Sequence, residues 1–246
     1  MRWVRVGWAL VLAVAGWGCA QEGGGALRVS AAASLTDALA ELADAFQAAH
    51  PGTAVALNLA GSATLATQVI EGAPVDVFLA ADTATMGRVA AVDRLAGSPV
   101  VFARNRVALA VPAGNPAGVR GLADLARPEL LVGLCAAAVP CGAAARAALA
   151  GAGVRPSVDT EEPHVRALLT RLELGELDAG IVYATDVLAS AEVEAVPLEP
   201  GQGAETAYPA AVVRDAPDPE AARAFVAFLL SPPARAILAR YGFSPP

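Results

Sequence analysis

Three short segments of this chain present neutral hydrogen-bond donors in a similar setting: Ala32–Asp37 (Ala-Ala-Ser-Leu-Thr-Asp), Ala60–Leu65 (Ala-Gly-Ser-Ala-Thr-Leu) and Gly180–Asp186 (Gly-Ile-Val-Tyr-Ala-Thr-Asp). The first two place a serine, Ser34 and Ser62, where a strand turns into a helix. Such a junction aims free backbone N–H groups and the positive end of the helix dipole outward. Several junctions meeting at one point would cage a small oxyanion in donors. That is the chemistry of anion capture, not of bond breaking.

Each residue also has a plainer reading. Ser34 fits an ordinary helix N-cap, with Asp37 three residues on as in a capping box. Ser62 fits the same role, and Gly61 before it permits a close approach of the backbone. Tyr183, just after an apolar run, fits a core aromatic with its hydroxyl at the rim. Pro140-Cys141-Gly142 is expected as a loop before an alanine-rich helix, Ala143–Leu149, whose N-terminus offers further amides. A hydrolase with Ser34 or Ser62 as nucleophile is the reading from another class. The chain lacks a Gly-x-Ser-x-Gly elbow, and only His50 and His164 are available as base. His50 reads as solvated beside Pro51, and His164 as an exposed loop histidine next to the anion loop. Asp76, Asp82 and Asp186 lack compact metal-ligand spacing. The first two read as cleft-rim or turn residues, the third as a cap for the helix after Tyr183.

Short apolar runs alternate with helical patterns, the mark of an α/β protein with mainly parallel sheets. Strands are expected at Leu27–Ser30, Val55–Leu59, Val75–Leu79, Val107–Val111, Leu131–Leu134, Ala179–Val182, Val193–Leu198 and Ala210–Val213. The stripe Leu35, Leu39, Leu42, Phe46 predicts a first helix to Ala49, closed by His50-Pro51-Gly52. Val165, Leu168, Leu169 and Leu172 predict another to Leu174, and Pro219–Leu230 a late one, with a shorter helix after Pro232-Pro233. Turn-rich Pro112–Pro116 and Glu199–Gly203 bracket a middle section. A chain that leaves one lobe, builds a second and returns would make an interlobe cleft with two hinge crossings.

The 246 residues carry a net charge of −7, and every base is arginine. That balance argues against nucleic acid, and it means an anion must be held by local dipoles. Residues 1–19 read as a signal peptide: Arg2 and Arg5, an apolar stretch too short for a confident membrane span, then small residues. Cys19 stands where a lipoprotein signal carries its lipidated cysteine, although Gly16 replaces the usual leucine; the alternative is cleavage to a free secreted protein. Residues 20–26 read as a tether. Loss of residues 1–19 removes two arginines and no acid, taking the charge from −7 to −9. Cys135 and Cys141 then remain as an even pair. Two readings stay open for them, a disulfide in an oxidising compartment or two small buried thiols.

Jointly, these segments resemble the periplasmic molybdate-binding proteins of ABC transporters, along essentially all of Leu27 to Pro245. Matching stretches are Ala31–Thr36, Gly72–Phe78 (Gly-Ala-Pro-Val-Asp-Val-Phe), Gly180–Tyr183 and Arg240–Phe243. The resemblance implies a two-lobed type II periplasmic-binding-protein fold, with 27–106 plus 208–246 as one lobe and 107–207 as the other. It implies that Ser34, Ser62 and Tyr183 supply hydroxyls, and that amides of Ser34, Ser62, Cys141 and Val165 complete the site. Cys141 and Ala63 depart from the family pattern, where alanine and a second hydroxyl residue are usual. It further implies an extracytoplasmic protein delivering molybdate or tungstate to a membrane permease; a monomer is the default expectation, no cofactor is expected, and the lack of a nucleophile–base pair argues against enzymatic activity. A donor-only pocket suits a fully deprotonated dianion, whereas protonated phosphate leaves a proton unpaired at a cost of ~1–3 kcal/mol. Sulfate is the competing cargo, and a sensor module of the same fold the competing role.

Overall fold

The computed structural model describes residues 25–246, so the signal-peptide and Cys19 expectations and most of the tether lie outside the described residues. The chain opens with β1 (Leu27–Ala32), a 3-10 turn (Ala33–Leu35) and α1 (Thr36–Ala49). Leu35, Leu39, Leu42 and Phe46 are fully buried, at ~1.5–3 kcal/mol for each large apolar side chain. Gly52, at φ +95°, turns the chain back after α1. Then come β2 (Val55–Ala60), α2 (Ser62–Ile70), β3 (Val77–Leu79) and α3 (Thr83–Ala91).

A long strand, β4 (Val100–Pro112), leads to a 3-10 turn (Leu122–Ala126), β5 (Val132–Cys135), α4 (Pro140–Gly151), β6 (Thr160–Glu162) and α5 (Val165–Glu173). β7 (Ala179–Tyr183), α6 (Ala184–Leu188) and β8 (Val193–Val196) follow, and β9 (Glu205–Val212) returns to α7 (Pro219–Leu229) and α8 (Pro232–Arg240).

The strands run in the order β2-β1-β3-β9-β4-β7-β5-β6, with β8 on β4. β2-β1-β3 and β6-β5-β7 are parallel sets, as βαβ crossovers demand. The two linking strands lie antiparallel. Val100–Arg106 of β4 pairs with β9 and Val107–Pro112 pairs with β7 and β8, so one strand belongs to two sheets. Buried apolar residues separate along the same line. One core gathers Val107 to Val196, and the others gather Leu27 to Ala103 with Tyr208 to Phe243. The result is two α/β lobes joined by β4 and β9.

Several elements depart from expectation: β9 begins at Glu205 rather than Ala210, α3 was not expected, and three further cases have a clear physical reason. β4 begins at Val100 rather than Val107, because Asn105 is buried in mid-strand by hydrogen bonds. β6 (Thr-Glu-Glu) is polar, since it is an outer strand held by backbone pairing to β5. Pro140-Cys141-Gly142 is the first turn of α4, not a loop before it: proline presets the first helical φ, and Gly142 lies where a Cβ would sit 1.9 Å from the Ala136 carbonyl oxygen.

Candidate functional site

Ser34, Ser62, Cys141, Val165 and Tyr183 all line one small cavity between the lobes, and no acidic or basic side chain lines it with them apart from His164. The space open to the centre of a water-sized sphere is about 20 Å³. One water needs ~10–15 Å³ on that measure. The cavity therefore fits a compact ion.

Neither serine caps a helix in the ordinary way. Ser34 lies inside the 3-10 turn, and its Oγ is 2.8 Å from the hydroxyl of Tyr208. Asn105 Nδ2 donates to Thr185 Oγ1 (2.9 Å) and to Tyr208 Oη (3.4 Å). A phenol oxygen that accepts from Asn105 can still give its single proton to Ser34, an arrangement that leaves the serine proton for the cavity. Ser62 is the first residue of α2, capped by Gly61 instead. Its Oγ accepts from Ala81 N–H at 3.1 Å, and the Ala81 carbonyl accepts from Thr206 Oγ1. In that arrangement both serines have the oxygen engaged and the proton free.

The first residues of three helices line the cavity as well. The leading N–H groups of α2, α4 and α5 have no partner within their helices, and these helices begin at Ser62, Pro140 and Val165. Cys141 is tied to Cys135 by a disulfide with Cα atoms 5.7 Å apart, which anchors the start of α4 to the end of β5.

Tyr183 is 1% exposed, and its hydroxyl is the one buried side-chain polar atom among the described residues without a hydrogen-bond partner. Burial pushes its pKa well above the usual tyrosine value, so it remains a donor throughout the neutral range. The ring packs edge-on to Tyr208, with centroids 6.2 Å apart.

The acids and histidines take structural places. Asp186 is buried, accepts from Tyr183 N–H at 3.0 Å, and has its pKa pushed up to about 7, chiefly by burial. Asp76 is not at the cleft rim: it is 1% exposed and accepts from Arg28 and Asp218 N–H, both at 2.7 Å, tying β1 and the start of α7 to the start of β3. Asp82 caps α3 through Thr85 N–H. His50 stacks on Phe46 rather than standing in solvent. His164 is half-buried at the cavity wall, not an exposed loop residue. It caps α5 by accepting Ala167 N–H on Nδ1, which puts the neutral ring's proton on Nε2, and burial lowers its pKa. Neither serine hydrogen-bonds a histidine, and the described residues include no group of three His, Cys, Asp or Glu placed to hold a metal.

Sequence reasoning did not single out Tyr208, Asn105, Thr185 or Thr206, which set the serine hydroxyls from behind. The one available signal was polar residues interrupting apolar strands, at Asn105 and Thr206.

Two α/β lobes joined by two strands around a neutral donor cage define a solute-binding protein, and the chain belongs to the bacterial extracellular solute-binding protein family, matched over residues 27–244. The molybdate-binding protein ModA of Mycobacterium tuberculosis H37Rv is 40% identical over 226 residues, spanning 92% of this chain and 87% of that protein. The Escherichia coli K12 protein of the same name is 33% identical over 260 residues, spanning 99% and 98%. Among solved structures, the Azotobacter vinelandii periplasmic molybdate-binding protein shares the fold at TM-score 0.76 and 21% identity, with 89% and 99% covered.

Proposed function

We propose that this protein captures molybdate, a tetrahedral dianion, in the interlobe cavity outside the cytoplasm and hands it to an ABC importer in the membrane. The observation that carries the reading is the Tyr183 hydroxyl, a buried donor with no protein partner, on a residue that lines the cavity together with Ser34 and Ser62. A ligand made only of acceptors completes that set, and a ligand with its own protons does not. The names of the relatives support molybdate as the cargo. Ser34, Ser62 and Tyr183 act as hydroxyl donors, with the amides of Cys141 and Val165 opposite. Tungstate, with the same charge and shape, binds the same cage. The site holds and releases its cargo without covalent chemistry. The working form is a monomer that closes its lobes around the anion, and the permease reads that closed state.

Calorimetric titration of residues 21–246 with molybdate, tungstate, sulfate and phosphate tests the proposal. One-to-one binding of molybdate and tungstate, with phosphate silent and sulfate at least 100-fold weaker, is expected. Preference for sulfate would overturn the cargo, and silence with all four would overturn anion capture.

A further inference from the structure

Gly61 is a glycine that its own backbone does not require. It lies at φ −60° and ψ 133°, an extended conformation open to any residue, and it caps α2 without a side-chain bond. What singles it out lies across the cleft. A Cβ built there would meet the Pro163 carbonyl oxygen at 3.0 Å and His164 Cβ at 3.3 Å. Those atoms belong to the other lobe, in the turn that starts α5. The next residue, Val165, lines the cavity, and the one after it, Arg166, pairs with Asp37 of α1 across the same cleft. The start of α5 therefore touches the first lobe on two sides of the cavity.

We infer that Gly61 is the positioning residue that sets how far the lobes close, and thus how tightly the cage grips its anion. This rests on the proposed anion-capture role of the same site. Because the Cβ position is bare, α5 descends until the Pro163 carbonyl rests against the Gly61 backbone, bringing the Val165 amide down beside Ser62. A methyl group at Gly61 meets a backbone oxygen, which cannot rotate away as a side chain tip does. The lobes must then halt a few tenths of an ångström further apart. Every donor of one lobe is pulled back together from an anion held by the other, and water gains a way in. A glycine within one lobe's own packing would change that lobe's stability. This one faces only the opposite lobe, so its cost falls on the closed, loaded state.

The test is Gly61→Ala, with Gly87→Ala as the comparison. Gly87 lies in α3, where an added Cβ has nothing within 4 Å. Molybdate is titrated by calorimetry, its dissociation followed by stopped flow, and the thermal midpoint measured without ligand. Gly61→Ala is expected to raise the molybdate Kd at least ten-fold through faster dissociation, with the ligand-free midpoint within 2 °C of wild type. Gly61→Val should lose more than Gly61→Ala, and Gly87→Ala should bind as wild type does. A Gly61→Ala Kd within two-fold of wild type overturns the inference, as does a lowered ligand-free midpoint with unchanged dissociation. Silence of the wild type itself toward molybdate would instead bring down the capture reading on which this rests.

Discussion

Replacing Tyr183 with phenylalanine separates binding from stability, because the two should move in opposite directions. In the protein the Tyr183 hydroxyl is buried without a partner, a state that costs ~1–3 kcal/mol relative to a solvated or bonded hydroxyl. Phenylalanine removes that cost and keeps the ring that packs against Tyr208. The ligand-free variant should therefore be as stable as wild type or more so, by up to ~3 kcal/mol in a urea titration. A hydrogen bond to a charged acceptor contributes ~1.5–3 kcal/mol, so losing it should raise the molybdate Kd by a factor of about 10 to 150. Calorimetric titration and ligand-free melts on the same preparations read both quantities. An unchanged Kd would refute the argument that the orphan hydroxyl belongs to the anion. A marked loss of ligand-free stability would show that the hydroxyl has a partner within the protein.

Other outcomes follow from the same structure. Cys135→Ser with Cys141→Ser opens a loop spanning a sequence separation of 6, which should cost about 2 kcal/mol in denaturant unfolding, and the loosened start of α4 should weaken molybdate binding several-fold. Asp186 has a pKa of about 7 against an ordinary 3.8, so the stability it contributes is present below about pH 4 and lost as pH rises through about 7. Its loss is on the order of 4 kcal/mol. Asp186→Asn should gain on wild type by an amount that grows over that window, and should bind molybdate more tightly at pH 8 than wild type, whose ionised carboxylate opposes the dianion. Parallel pH curves for the two proteins would contradict this. Asp76→Ala strands the N–H groups of Arg28 and Asp218 and should cost about 2–4 kcal/mol of stability while leaving the Kd of the folded protein unchanged.

What could be read from the chain beforehand depended on whether local chemistry decided the outcome. The stripe Leu35–Leu39–Leu42–Phe46 announces α1 because all four side chains point to one core. β1, β2 and β7 were legible for the same reason, as apolar runs between turn residues. The early part of β4 was not legible, because Arg104, Asn105 and Arg106 interrupt the apolar pattern and only the hinge explains them. Asn105 is buried by partners 80 and 103 residues away, a relation no local pattern carries. At the site, Ser34, Ser62 and Tyr183 stood at strand–helix junctions where donors are expected. The ordinary N-cap reading of the two serines failed because Ser34 Oγ bonds the Tyr208 hydroxyl and Ser62 Oγ accepts from Ala81 N–H instead. Those partners come from β9 and the end of β3, so the preparation of the two hydroxyls is a tertiary property. His164 looked like a loop residue because nothing in the local sequence says that Gly61 of the other lobe closes over it.

Anion capture by this cavity is tested most directly by a crystal structure of the protein grown with molybdate, with anomalous data collected at the molybdenum edge. One strong anomalous peak is expected in the cavity, with the oxygens around it within hydrogen-bonding distance of Ser34 Oγ, Ser62 Oγ, Tyr183 Oη and the amides of Cys141 and Val165. A peak elsewhere, or one in the cavity with the Tyr183 hydroxyl turned to another partner, would contradict it.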